Sequence, residues 1–243
     1  MSRRKQVSKN QIDVVSLSKY TTPVIQEQSN REWVEYGADN NYFQFLIDRY
    51  TKSTTNGAII NGMVKTIYGK GLDATNSSKR VDQFIEMKSI FSKNDVRKVI
   101  TDRKTLGLGA WQINYSKGKV YKAYHFPMQT LRAEKCNEKG EIEAWYYHPN
   151  WSEYKRTDDP LRIPAFGYGN KRENEIYVVK PYVAGYTYYP PVDYAAALPY
   201  AVLEEEVADY LINDTLNGFS GTKVVNFNNG VPDEEERLSL IHI

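Results

Sequence analysis

The hydrophobic period of this chain changes at Gly107–Gly109, and that change bounds what it can fold into. Before it, apolar residues recur three and four apart. Phe43, Leu46, Ile47 and Tyr50 make one such set, and Ile59, Ile60, Met63, Val64 and Ile67 a second. Val81, Phe84 and Ile85, then Val96, Val99 and Ile100, make two more. This is the spacing of helices with one buried stripe. After it, Trp111, Ile113 and Tyr115 alternate, "SKGK" turns, and "VYKAYHF" runs back, which predicts a hairpin. "TLRAE", "CNEKG" and "EIEAWYYH" read as a second hairpin, and "EIYVVKPY" as a further strand. Past Pro190 and Pro191 the helical spacing returns from about Leu198 to Leu216. "TKVVNF" then reads as a strand. Val231 and Pro232 open a last helix, with Asp233 to Glu236 at the positive end of its dipole. Helices, then antiparallel strands, then a helix predict an α+β domain.

Local signals place the helix ends. Asp39, Asn40 and Asn41 offer an N-cap to the first helix, and Ser92-x-x-Asp95 is a capping-box pattern for the fourth. Gly69 and Gly71 stop the second. Residues 1–30 carry few apolar anchors and read as a flexible basic and polar arm. No stretch approaches eighteen apolar residues, so no membrane partner is expected. The single cysteine, Cys136, excludes an internal disulfide. Charge is segregated. Nine carboxylates against Lys223 and Arg237 leave residues 201–243 at −7, so residues 1–200 carry +9 of the formal +2 total. Such a tail is either a solvated helix face or a surface that docks or repels a charged partner.

The residues for catalysis are sparse. His125, His148 and His242 are the only histidines. None has a His or Cys neighbour at metal-ligand spacing. No phosphate-binding loop and no G-x-S-x-G elbow occur, and "GLGAW" and "GYGNK" read as turns. Adjacent acids such as Glu204–Glu206 and Asp158–Asp159 point apart and read as solvated. The expectation is no catalytic residue, no cofactor, no metal and no enzyme. Aromatic residues are abundant, with 20 Tyr, 8 Phe and 4 Trp concentrated in "AWYYHPNWSEY" and "VKPYVAGYTYYPPVDYAAALPY". Such surfaces suit protein–protein contact, or the stacking of sugars or bases.

Three stretches in order resemble the phage portal protein family, and among its members those of crAss-like phages. "WVEYGADNNYFQFLIDRYTKSTTNGAIINGMVKTIYGKGL" is similar to the family's opening segment through Trp33, Tyr36, Gly37, Asp39, Asn40 and Tyr42. Ala58, Ile59, Ile60, Gly69 and Gly71 continue the match. "LGLGAWQINYSKGKVYKAYHFPMQTLRAEK" resembles its small-residue turn, hairpin and H-x-P link. "LPYAVLEEEVADYLINDTLNGFSGTKVVNFNNGVPDEEERL" resembles its helix, NGF break, strand and stem start. The likeness runs along roughly 200 residues.

The resemblance implies a portal-type wing domain over 31–230 and the start of a stem helix over 231–237. Stem, clip and crown would be missing, making the chain an N-terminal fragment. Residues 238–243, L-S-L-I-H-I, match the translation of a library adapter and are read as read-through. The implied function is structural. The subunit would form a ring, usually of twelve copies, at a capsid vertex of the virion. It would be a conduit for packaging and ejecting genomic double-stranded DNA. Its implied partners are itself, the major capsid protein, the terminase large subunit, the head–tail connector and, non-specifically, the DNA. Tyr186, Tyr188, Tyr189, Tyr194, Glu204, Glu205 and Asp209 are the candidate subunit-interface residues. Leu203, Val207, Leu211 and Ile212 are expected to face the subunit's own core. Two other readings stand beside this one: an aromatic-rich glycan- or peptide-binding module, and a DNA-processing enzyme with an unrecognised site.

Overall fold

A computed structural model describes residues 25–28, 30–74, 76–171 and 173–216. The strand expected at "TKVVNF", the helix start at 231–237 and the segment 238–243 lie outside the described residues. The chain divides into two units, Met1–Val202 and Leu203–Ile243.

The first unit opens with a short ladder. β1 (Ile25–Gln26) pairs antiparallel with β2 (Glu35–Tyr36). β1 lies inside the stretch expected to be a flexible arm, and Ile25 packs against the main core. α1 (Tyr42–Lys52) and α2 (Thr54–Tyr68) follow, separated by Ser53 alone. Ser53 ends α1, its amide donating to Arg49 O, and begins α2, its hydroxyl accepting from Asn56 N at 3.2 Å. α3 (Val81–Ile90) and α4 (Lys93–Leu106) complete the helical half. The predicted cap of α4 forms: Ser92 Oγ accepts from Asp95 N at 3.1 Å and donates to Asp95 Oδ2 at 2.6 Å. Gly107, at φ +84, supplies the left-handed residue that ends α4.

The strands form two antiparallel sheets. β3 (Gly109–Ser116) lies between β4 (Lys119–Phe126) and β8 (Glu175–Val179). Lys117 and Gly118 join β3 to β4 with both φ positive, the two-residue turn that matches strand twist. β6 (Ala144–Tyr147) lies between β5 (Leu131–Ala133) and β7 (Leu161–Pro164). Both predicted hairpins are present, and "EIYVVKPY" supplies β8. The α+β class is as expected.

The main core joins α1, the C-terminal end of α4 and both sheets around Leu46, Leu106, Leu108, Met128, Leu131 and Ile176. α4 lies on the first sheet through Val96, Val99, Trp111, Ile113 and Ala123. α5 (Leu198–Leu216) begins in this unit with Leu198 and Ala201 buried.

In the second unit, the part of α5 from Leu203 to Leu216 leaves Leu203, Val207, Leu211 and Ile212 exposed at 46–56%. The expectation that they face the subunit's core is corrected. Glu204 and Glu205 are half-buried and Asp209 is exposed. The apolar residues of α5 go most of the way round the helix, so its period does not single out a buried face.

Candidate functional site

The segment Trp33–Tyr42 carries the densest part of the family motif, and its residues have structural duties. Val34 N donates to Ala133 O at 2.8 Å and Lys135 N to Glu32 O at 2.9 Å, so Glu32–Val34 runs along the edge strand β5. Trp33 packs among Tyr146, Trp151 and Tyr154, with ring centroids 5.3–5.5 Å away. Tyr36 stacks on Tyr189 at 4.6 Å with an 18° interplanar angle. Gly37, at φ +85, starts a turn that closes when Asn40 N donates to Gly37 O.

Asn40 is the pivot of that turn. It is buried at φ +56, a conformation that asparagine tolerates better than most residues. Its Oδ1 accepts from Tyr36 N at 3.2 Å and from Arg132 Nε. The expected helix N-cap holds in position, at Asn41, but not in bonding. Asn40 binds Arg132, Asp39 is exposed, and Asn41 occupies the cap position with no side-chain bond to the helix.

Arg132 is the largest fully buried side chain. Its Nη1 donates to Gln129 O at 2.9 Å and Leu131 O at 2.8 Å, and its Nη2 to Asn40 O at 2.7 Å. The guanidinium carbon lies 5.0 Å from the Phe43 ring centroid and 5.1 Å from that of Trp151. Burial lowers its pKa to about 10, and among the described residues no carboxylate opposes that shift. Nothing in "TLRAE" distinguishes such an arginine from an exposed strand cation.

The candidate interface tyrosines divide. Tyr188 and Tyr189 are corrected: both are buried in the chain's own core. Tyr189 Oη donates to Val34 O at 2.7 Å and accepts from Ala133 N at 2.8 Å, bridging the motif segment and β5. Burial raises its pKa to about 12. Tyr188 Oη accepts from Cys136 N at 3.1 Å. Tyr194 is half-buried and donates to Thr105 O at 2.7 Å, and Tyr186 is half-buried in a loop. The expected aromatic platform also loses Trp145, Tyr146 and Trp151, which are buried, while Tyr182 and Tyr200 stay exposed.

The apolar surface lies instead on α2. Ser53, Gly57 and Ile60 face inward. Ile59, Met63 and Ile67, one turn apart, are 37–55% exposed. The sequence places Ile59, Ile60, Met63, Val64 and Ile67 on one face, whereas the structure turns Ile60 and Val64 inward and leaves the other three outside. Ala58, Gly62 and Thr66 form an exposed row of small residues beside that stripe. A side chain added at Gly62 meets nothing within 4 Å. On α3, Val81 and Ile85 are exposed as well. Gly69 and Gly71, at φ +47 and +94, end α2 as the motif suggests.

His125 and His148 serve as braces, and His242 lies outside the described residues. His125 Nε2 lies 2.8 Å from Asp102 Oδ2, which also accepts from Met128 N, tying α4 to the end of β4. His148 Nδ1 accepts from Asn150 N at 3.2 Å. Among the described residues, no cluster of His, Cys, Asp or Glu could hold a metal ion, and no helix is long and apolar enough to cross a membrane.

No protein-family model matches the sequence, and no curated protein matches it. Among solved structures, the fold is similar to a chain from the neck of an empty GTA particle computed with C6 symmetry. The superposition has a TM-score of 0.57 at 10% sequence identity. It covers 91% of this chain and 56% of the neighbour, so this chain spans little more than half of that relative's length.

Proposed function

We propose that this chain is a structural subunit of a phage particle's neck, and specifically of its portal ring. The fold it shares with a particle neck over 91% of its length carries this reading. The ordered motif stretches, beginning with Trp33–Tyr42 and Ala58–Gly71, narrow it from neck to portal. In this reading the chain breaks no bonds. Copies of it form a closed ring in the virion through which genomic DNA passes. The major capsid protein, the terminase large subunit and the head–tail connector are its further partners. A closed ring needs two different faces on each copy. The exposed stripe Ile59–Met63–Ile67 on α2 is the better candidate for one of them, because Tyr188 and Tyr189 are committed to the core. Sixfold symmetry in the neighbour accommodates a ring of twelve as readily as one of six.

Electron microscopy of the purified product of the intact gene, with mass photometry beside it, tests the reading. Annular particles of uniform copy number are expected. Monomers alone, at concentrations up to tens of micromolar and across salt conditions, would refute it.

A further inference from the structure

We propose that the pocket at the N-terminus of α1 is a carboxylate-binding site. The pocket has a volume of about 290 Å³, and Asn41, Phe43, Gln44, Arg132, Trp151 and Ser152 are among its lining residues. Two independent features converge on it.

One is the helix end. The first backbone bond of α1 runs from Phe45 N to Asn41 O. The amides of Phe43 and Gln44 therefore precede the intrahelical ladder and find no acceptor among the described residues. Asn41 gives no cap bond, and the first turn contains no acid. The Asn41 side chain is turned to Ser152, whose hydroxyl donates to Asn41 Oδ1 at 2.8 Å. An eleven-residue helix thus presents open donors and the positive end of its dipole to the pocket.

The other is Arg132. A guanidinium has five N–H groups. Four are taken by Asn40 Oδ1, Asn40 O, Gln129 O and Leu131 O. One N–H on Nη2 has no acceptor among the described residues, and the side chain bearing it is fully buried and lines the pocket. All four acceptors are neutral, so the cation has no counter-charge among the described residues. Phe43 and Trp151 flank the guanidinium and leave its remaining donor to an in-plane acceptor.

One buried positive charge, one free guanidinium N–H and two free amides match a planar monoanion with two oxygens. The carboxylate comes either from an acidic side chain of a second copy or from a small free acid. The chemistry is the same, and the experiment separates the sources.

Thermal unfolding of the chain is followed in sodium acetate and in sodium chloride at equal ionic strength. Acetate is expected to raise the midpoint saturably, by roughly 5–10 °C at a hundredfold excess over its dissociation constant. Replacing Arg132 risks unfolding the chain, so the diagnostic variant is the isosteric Asn41→Asp, which puts a carboxylate in the pocket. This variant is expected to melt higher than wild type in chloride and to show no acetate response. If the natural occupant belongs to a second copy, Asn41→Asp also raises the half-assembly concentration about tenfold or more, and acetate does the same to wild type. A free-acid occupant leaves assembly unchanged. Equal acetate responses in wild type and Asn41→Asp overturn the proposal. So does the absence of both an acetate effect and an assembly effect. Either result leaves the ring reading intact, because that reading stands on the annular particles.

Discussion

Tyr189→Phe is the sharpest probe of how the motif segment is held. The change deletes one oxygen and keeps the ring that stacks on Tyr36 at 4.6 Å. The lost hydroxyl binds both Val34 O, at 2.7 Å, and Ala133 N, at 2.8 Å. Tyr189 is fully buried, so no water replaces it without opening the core. Stranding a buried donor or acceptor costs about 1–3 kcal/mol, so two stranded groups cost roughly 2–6 kcal/mol. A unit of this size loses about 2–4 °C of melting temperature per kcal/mol, so a mid-range loss of about 3 kcal/mol lowers it by roughly 6–12 °C. Tyr188→Phe is the matched control. It removes a longer 3.1 Å bond from Cys136 N and a bond to the exposed Glu27 carboxylate, at a less enclosed hydroxyl, and is expected to cost about 1 kcal/mol. Urea unfolding followed by circular dichroism measures both. A Tyr189→Phe loss no larger than that of Tyr188→Phe would refute the argument that this hydroxyl bridges β5 and the motif segment.

The remaining predictions concern titration, backbone geometry and caps. Burial raises both Tyr189 and Tyr115 to about 12, and the Glu175 carboxylate adds to the rise at Tyr115. Each phenol stays neutral in the fold while the unfolded chain titrates near 10, so their contribution is complete below pH 10 and is lost as pH climbs towards 12. Urea midpoints taken at steps from pH 9 to 12 should fall, and fall less in Tyr189→Phe. Gly109→Ala sets a Cβ 2.7 Å from the backbone oxygen of Val99, and should lift α4 off β3. A loss of several °C in melting temperature, with faster amide exchange in β3, is the expected readout. Gly37→Ala forces a φ of +85 on a side-chain-bearing residue and brings its Cβ to 3.0 Å from Tyr42 Cβ. It should cost at least about 1–2 kcal/mol by chemical denaturation. Ser92→Ala removes the acceptor for Asp95 N and should cost about 1 kcal/mol, with faster exchange confined to the first turn of α4.

Much of the architecture was legible because it rests on local rules. The change of period at Gly107–Gly109 separates α4 from β3, and the Ser92 box starts α4 at the expected residue. What failed needed knowledge of neighbours. Five apolar residues of α2 form one broad stripe, and only the packing of Gly57 against Tyr50 O reveals that its Ile60–Val64 edge is the side that turns in. β7 escaped notice because four residues ending in a proline give too short a pattern. Tyr188 and Tyr189 look like surface tyrosines in a run of prolines and glycines, yet the backbone groups of Cys136, Ala133 and Val34 draw their hydroxyls inward. Arg132 gave no signal at all, since the oxygens that hold it come from Asn40, 92 residues earlier, and from its own turn.

The single residue between α1 and α2 has a mechanical consequence. Ser53 closes one helix and opens the next, and Gly57 sits so near Tyr50 O that an added Cβ would lie 2.7 Å from it. The joint has no slack and no room for a side chain to act as a cushion. A load on the outward face of α2 is therefore handed to α1 as through a rigid bell-crank. It arrives at the opposite end of α1, where Phe43 lies against the Arg132 guanidinium.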